Sequence, residues 1–186
     1  MPLFPKNTAL IIIDVQNGFD DPRWGRRNNP DAEANIARLL SQWRRTERPI
    51  FYVQHLSRKA DSPLSPGQSG CEIKEIVKPK AGEPVITKQV NSAFIGTDLE
   101  VILRKRGIDT VVIAGLTTGH CVSTTARMAG NLGFKTYVVS DATATFDHKG
   151  FDGKDYPAEQ VHQLSLVSIQ NEFATIVSTP DLLASN

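Results

Sequence analysis

The chain has 186 residues, with 21 Lys and Arg against 20 Asp and Glu and a formal net charge of +1. This length suits a single domain with a sizeable core, and we expect residues 1–186 to form one. The near-neutral balance argues against a nucleic-acid binder, which normally presents a basic face. We expect no nucleic-acid partner; the small-molecule substrate is inferred from the site residues below.

The N-terminal segment predicts a cytoplasmic protein, because two prolines precede an apolar run too short to cross a bilayer. No association with membranes is expected. Two cysteines, Cys71 and Cys121, cannot build a disulfide framework, and their surroundings lack the spacing of a structural zinc site. We expect both cysteines to be free thiols.

Short apolar runs such as ALIII and TVVIAG predict strands of a parallel sheet, because they are apolar on both faces. Helical segments alternate with these runs, which predicts a three-layer α/β/α sandwich with right-handed crossovers. The predicted strands are Ala9–Asp14, Ile50–His55, Val85–Lys88, Val111–Gly115, Thr136–Ser140 and Thr175–Ser178.

Two of the four predicted helices have recognisable start signals. Asn29 and Pro30 fit an N-cap and first-turn pair. Thr97 and Glu100 form a capping-box pattern, and Gly107 fits the end of that helix. The third helix is predicted from about residue 121 to 131 and the fourth from about 157 to 170.

Chemically active residue types follow four of the predicted strands. Asp14, His55 and Lys88 end the first, second and third strands, and the fourth leads through Gly115 to Cys121. Ligands of parallel α/β sheets bind beyond the carboxyl ends of the strands. We therefore expect an acid, a cation and a thiol to face one crevice.

Cys121 is placed at a predicted helix start, where unpaired N–H groups favour thiolate over thiol. Such a setting lowers a cysteine pKa from roughly 8.5 to about 3.5–7.5, and Lys88 is expected to act in the same direction. The same N–H groups suit the binding of an oxyanion. No predicted helix begins at Cys71, so we expect it to be the less reactive thiol.

Asp14 is the preferred base for the thiol if the sheet has the common strand order 3-2-1-4-5-6, which makes the first and fourth strands neighbours. Burial at an apolar strand end would raise its pKa. Lys88 would then start two strands, or about 10 Å, away, a gap that its side chain must span. His55 is an alternative base, whereas His120 points about 100° away from its helix neighbour Cys121.

The segments ALIIIDVQNGF, ITKQVNSAF and GLTTGHCVSTTARMAGNLGF together resemble the isochorismatase-like cysteine hydrolases, relatives of nicotinamidase and carbamoylsarcosine amidase. The resemblance implies a Rossmann-like isochorismatase-like hydrolase fold with six parallel strands. It also implies a catalytic triad of Asp14, Lys88 and Cys121, no cofactor, and a homo-oligomer, either a dimer or a tetramer.

The resemblance further implies a cis peptide between Leu116 and Thr117, which would turn the Thr117 N–H toward the site. The N–H groups of Thr117 and Cys121 would then form an oxyanion hole. Nicotinamidases carry an Asp-x-His metal cluster after the second strand, whereas this chain reads VQHLSRKADSP there. We therefore expect no catalytic metal and do not favour nicotinamide as the substrate.

The combined reading predicts a hydrolase that cleaves a C–N bond of a small amide, ureide or carbamoyl compound through a thioester. Three alternatives stay open: a vinyl-ether hydrolase with Asp14 as the acid, a non-enzymatic small-molecule-binding module, and a catalytically silent relative. Phe19, Trp24 and Phe94 are expected to line the substrate pocket. Specificity is expected from three loops: Asp20–Asn28, Leu56–Glu83 and Phe146–Tyr156.

Overall fold

The computed structural model describes residues 4–184, which contain eight β-strands and five α-helices. The strands are β1 (Ala9–Ile13), β2 (Ile50–His55), β3 (Val85–Lys88), β4 (Thr110–Leu116), β5 (Lys135–Ala144), β6 (His148–Lys149), β7 (Asp155–Tyr156) and β8 (Thr175–Val177). The helices are α1 (Ala32–Arg45), α2 (Leu99–Lys105), α3 (Ser123–Asn131), α4 (Ala158–Val167) and α5 (Thr179–Ala184).

Six strands form a parallel sheet in the order β3-β2-β1-β4-β5-β8. Because β8 is the sixth strand predicted from the sequence, the predicted strand order is confirmed. The short strands β6 and β7 pair separately as an antiparallel hairpin, in a segment that the sequence predicted as a loop.

Alternate residues of β1 face two different helical layers. Ile11 and Ile13 pack in one buried cluster with residues of α2, α3 and α4. Leu10 and Ile12 pack in a second cluster with residues of α1 and α5. The predicted three-layer sandwich is therefore confirmed, and it explains why β1 is apolar at every position.

The predicted N-cap at Asn29 is wrong, because α1 begins only at Ala32. Asn29 adopts a φ of +44°, and its side-chain amide donates hydrogen bonds to the carbonyl oxygens of Ser140 and Thr143, at 2.9 and 2.7 Å. These partners lie more than 100 residues away in sequence, so the side chain joins this loop to β5 instead of starting a helix.

The predicted capping box before α2 is only half formed. The Thr97 hydroxyl accepts the Leu99 N–H at 3.3 Å, whereas Glu100 pairs with Arg104 one helical turn later, at 3.5 Å. The fourth predicted helix is also shorter than expected, since α4 ends at Val167. Within residues 4–184, no helix has the length and hydropathy needed to cross a bilayer.

Candidate active site

The carboxyl ends of three neighbouring strands bring an acid, a histidine and a lysine together. Asp14 directly follows β1, and His55 and Lys88 end β2 and β3 as paired residues in the sheet register. The buried Lys88 side chain passes over the end of β2 and places Nζ 2.6 Å from Asp14 Oδ2. The Lys88 and Asp14 side chains together therefore bridge the two-strand gap that the strand order implies.

The Lys88 ammonium lies at the centre of this group and faces three acceptors. Nζ is 2.6 Å from Asp14 Oδ2, 3.2 Å from His55 Nδ1 and 3.3 Å from Cys121 Sγ. A lysine ammonium has three N–H donors and no acceptor. Each of its donors therefore has one partner in the site.

Asp14 has the environment of a carboxyl group that exchanges protons near neutral pH. It is fully buried, and this burial raises its pKa to about 6, while Lys88 and, more weakly, the Cys121 thiol act in the opposite direction. Within residues 4–184, Asp14 Oδ1 has no hydrogen-bond partner. An oxygen of Asp14 lies within 4.8 Å of Cys121 Sγ, so the carboxyl group and the thiol are neighbours in the site.

Cys121 lies in a π-helical turn, Thr118–Val122, that connects β4 to α3. The α-helix proper begins at Ser123, two residues later than predicted. Burial, followed by the nearby Asp14 charge, raises the pKa of the Cys121 thiol to about 12, and Lys88 lowers it less. The pKa of this thiol is thus shifted upward, opposite to the lowering expected from a helix start, because burial outweighs the effect of Lys88.

The turn that contains Cys121 is held by hydrogen bonds to the carbonyl group of Thr117. The Leu116–Thr117 peptide bond is cis. The Thr117 carbonyl accepts the N–H groups of His120 and Val122, at 3.1 and 3.2 Å. Thr117 and Cys121 both line the same cavity.

The four histidines have different surroundings. Burial, and then Lys88, lowers the pKa of His55 to about 4, so its imidazole is neutral near pH 7. His120 Nδ1 lies 3.2 Å from the Thr117 hydroxyl, and its ring centroid is 5.4 Å from that of His148. His162 lies beneath the π-helical turn, with Nδ1 2.9 Å from the Thr118 hydroxyl.

A cavity of about 580 Å³ opens in front of Cys121. Phe19, Trp24 and Phe146 form an apolar wall, with ring centroids 5.5 to 6.2 Å apart. All three loops expected to set specificity contribute to the lining. These contributors are Arg23 and Trp24, then Ser57, Lys59, Ser62 and Leu64, then Phe146, Asp147, His148 and Lys149.

Phe94 does not belong to this lining. Its ring stacks on Phe134 at a centroid separation of 5.9 Å, in the core cluster shared with α2 and α3. The aromatic residue that completes the wall is instead Phe146, which the sequence placed only within a loop. An aromatic residue near a motif gives no signal of whether it faces the core or the cavity.

Asn91 is a further cavity residue that the sequence analysis missed. Its side-chain oxygen lies 3.9 Å from Cys121 Sγ, and the residue lines the cavity. It follows the end of β3 by three residues, so the strand-end rule that identified Lys88 could also have identified it.

The site also contains residue types that bind metals. One ligand atom from each of Asp14, His55 and Cys121 lies within 4.8 Å of the other two. However, the Lys88 ammonium is within 3.3 Å of all three groups and already neutralises the carboxylate. Because a fixed cation occupies the centre of the donor set, these residues do not fit a metal ion.

Comparison with known proteins places the chain in a family. Residues 8–181 match the model of the Isochorismatase domain. The uncharacterised isochorismatase family protein YrdC of Bacillus subtilis (strain 168) is 53% identical over 94% of each chain. Nicotinamidase 3 of Arabidopsis thaliana is 29% identical, over 97% of this chain and 89% of that protein.

The fold comparison agrees with the sequence comparison. The crystal structure of a protein described as a hydrolase of the isochorismatase family, from Chromobacterium violaceum ATCC 12472, superposes with a TM-score of 0.96 at 41% identity. The match covers 100% of this chain and 96% of that one. The resemblance inferred from three motifs is thus confirmed, and the chain belongs to the isochorismatase family of hydrolases.

Proposed function

We propose that this protein hydrolyses a C–N bond of a small amide, ureide or carbamoyl compound through a thioester on Cys121. One observation carries the proposal. A fully buried Asp14, with Oδ1 unpaired within residues 4–184, stands within 4.8 Å of a protonated thiol that lines a cavity of about 580 Å³. This arrangement suits proton transfer coupled to nucleophilic attack.

In the first half-reaction, Asp14 accepts the thiol proton while Cys121 Sγ forms a bond to the substrate carbonyl carbon. The oxygen of the resulting tetrahedral intermediate carries the negative charge, which the N–H groups of Thr117 and Cys121 stabilise. Asp14 then gives the proton to the nitrogen as the C–N bond breaks. The amine leaves and the acyl group stays on sulfur.

In the second half-reaction, water attacks the thioester while Asp14 accepts one of its protons. The C–S bond breaks, the proton returns to sulfur, and the carboxylic or carbamic acid leaves. A carboxyl group serves both as base and as acid when its pKa is near the working pH, and burial raises the pKa of Asp14 to about 6. Lys88 stabilises the anionic forms of both Asp14 and Cys121.

The relatives support cleavage of a C–N bond without identifying the substrate. A nicotinamidase is by name an amide hydrolase, and it aligns over nearly the whole chain. The runner-up is a vinyl-ether hydrolase in which Asp14 protonates the substrate. Such a reaction needs no thiol, whereas the buried Cys121 is in contact with Lys88 and close to Asp14.

A panel of small amides, ureides and carbamoyl compounds, with nicotinamide included, tests the proposal by release of ammonia or amine. Isochorismate, tested in parallel for pyruvate release, represents the runner-up. We expect amine release that Cys121→Ala abolishes and Cys71→Ala retains. Turnover of an amide that persists in Cys121→Ala would contradict the thioester route, and pyruvate release alone would favour the vinyl-ether reaction.

A further inference from the structure

We propose that His55 is a positioning residue, which holds the Lys88 ammonium between Asp14 and Cys121 by accepting its third hydrogen bond. The proposal rests on the proposed cysteine chemistry, although its test needs no substrate turnover. Among the three acceptors around Lys88 Nζ, only His55 takes no direct part in the proposed proton transfer or acyl transfer.

The geometry requires an acceptor at the place of His55. The Lys88 side chain is fully buried, and two of its three donors point to Asp14 Oδ2 and Cys121 Sγ. The third points to His55 Nδ1 at 3.2 Å. An N–H of a buried ammonium group that has no acceptor destabilises the protein, because the group has lost its water without gaining a partner. The hydrogen bond to the imidazole avoids this loss and fixes the orientation of the Nζ group at the end of its flexible side chain.

The same contact determines the tautomer of His55. An ammonium group can only donate, so Nδ1 must carry no proton and the ring proton must reside on Nε2. The titratable groups near the ring within residues 4–184 are Asp14 after β1, Lys88 at the end of β3 and Cys121 in the π-helical turn, and the ring also hydrogen-bonds with the backbone of Val90. The neighbouring positive charge disfavours a second proton, and the imidazole therefore stays neutral.

This tautomer excludes His55 as the general base for the thiol. Its only bare nitrogen is engaged by an ammonium group, and its other nitrogen carries a proton. His55 therefore affects the proposed reaction only through its hydrogen bond with Lys88. A well-placed Lys88 favours the ionised form of Asp14, and an unrestrained Lys88 favours it less.

Two variants of His55 separate this role from simple packing. His55→Leu keeps an apolar side chain of similar bulk but offers no acceptor. His55→Asn places an amide oxygen the same number of bonds from the backbone as Nδ1. The readout is the pH dependence of iodoacetamide labelling at Cys121, followed by mass spectrometry of its peptide, because labelling reports on proton removal by Asp14.

We expect the midpoint of the labelling profile to move up by about one pH unit in His55→Leu, since Lys88 then lowers the pKa of Asp14 less. His55→Asn should restore the original midpoint. A purely structural role would reduce the labelling rate at every pH without moving the midpoint. An unchanged midpoint in His55→Leu, or an Asn variant that behaves like Leu, would overturn the proposal.

A measurement on the unaltered protein covers the case in which His55→Leu does not fold. With four histidines in the chain, ring nitrogens can be assigned in ¹⁵N spectra by the signals lost in His55→Asn. We expect the neutral Nε2–H tautomer throughout the range from about pH 6 to about pH 8. A proton on Nδ1 would refute the proposal, whereas turnover by Cys121→Ala would refute the thioester route and leave this tautomer untouched.

Discussion

The side-chain amide of Gln16 pairs with both backbone polar groups of His55, as a neighbouring strand would. Gln16 Oε1 accepts the His55 N–H at 2.8 Å, and Nε2 donates to the His55 carbonyl at 2.9 Å. Nε2 also donates to the carbonyl of Cys71 at 2.9 Å. One buried side chain after β1 therefore joins the end of β2 to the long segment that follows it.

Gln16→Ala should destabilise the protein by about 2–4 kcal/mol, because it removes the partners of the half-buried His55 N–H and carbonyl groups and a buried bond to the Cys71 carbonyl. Urea denaturation measures the loss. Gln54→Ala is the matched control, since Gln54 donates a single bond, of 2.7 Å, to the Cys71 carbonyl. We expect it to cost about 1 kcal/mol. Equal losses in the two variants would argue against the special role of Gln16.

The reactivity of Cys121 should rise with pH through about 6. Asp14 can accept the thiol proton only when ionised, and burial raises its pKa to about 6, so the fraction of active base grows across that value. Asp14→Asn should remove this rise and slow iodoacetamide labelling of Cys121 by about a hundredfold or more, in line with the factor of about 10²–10⁴ that a positioned base supplies.

Two comparisons control the labelling experiment. Asp152→Asn changes an exposed carboxyl group between β6 and β7 that contacts Lys154, and it should keep the original profile. Cys71 is buried against backbone carbonyls, and burial raises the pKa of its thiol. We expect Cys121 to be labelled faster than Cys71, because Asp14 provides a carboxyl base within 4.8 Å of Cys121. Equal rates for the two thiols would count against an activated nucleophile.

The parts of this site that the sequence predicts are those that depend on strand ends. Apolar runs are local signals, and the common strand order then brings Asp14 next to the turn that holds Cys121. The same order required Lys88 to reach across the end of β2 toward Asp14, and Nζ does lie 2.6 Å from Asp14 Oδ2. His55 was likewise predictable as a strand-end residue, although the sequence indicates no partner for its side chain.

The pKa of the Cys121 thiol could not be predicted from the sequence, because it depends on two opposing effects. One is local in the chain, and the other depends on residues that are distant in sequence. The helix-end field is a local property of the segment after β4. Desolvation depends on what covers Cys121, which includes Asp14 from a strand about 100 residues earlier in the chain. The same reason applies to Asn29, whose partners lie on β5, and to Phe94, whose partner is Phe134.

The cavity carries an excess of positive charge that should favour anionic substrates. The Asp14 and Asp147 carboxylates are already paired, with Lys88 at 2.6 Å and Arg26 at 2.8 Å. Two lysines of the lining have no ion pair within the described range 4–184: Lys59 and Lys149. We expect an amide that bears a carboxylate, such as succinamate, to show a lower KM than the neutral butanamide.

Lys59→Gln and Lys149→Gln should each raise the KM for the anionic amide by about threefold at low salt and leave the KM for the neutral amide unchanged. Added salt should reduce the difference because these groups are exposed. Lys154→Gln, on the same hairpin but paired with Asp152, is the control. Equal KM values for the charged and neutral amides, at both low and high salt, would contradict this prediction.

Gly115 marks a close contact between β1 and β4, the strands that lead to Asp14 and to the turn that holds Cys121. It pairs with Ile13 in the sheet register and adopts a φ of +128°. A Cβ atom built there would lie 2.0 Å from the Ile13 carbonyl oxygen and 2.7 Å from its nitrogen. Because both contacts are with backbone, an added methyl group can be accommodated only by moving β1 away from β4.

Gly115→Ala should therefore cost about 4 kcal/mol, the sum of backbone strain and overpacking. Gly133→Ala is the matched control, because Gly133 has a φ of +82° but no atom within 4 Å of the added Cβ. The control should cost only the conformational penalty, about 1–2 kcal/mol. Denaturant unfolding of both variants measures the loss in the free energy of unfolding. A loss in Gly115→Ala no larger than that in Gly133→Ala would mean that β1 can move away from β4 at little cost. Where Gly115→Ala still folds, we also expect slower labelling of Cys121, because the displaced strand carries Asp14 away from the thiol.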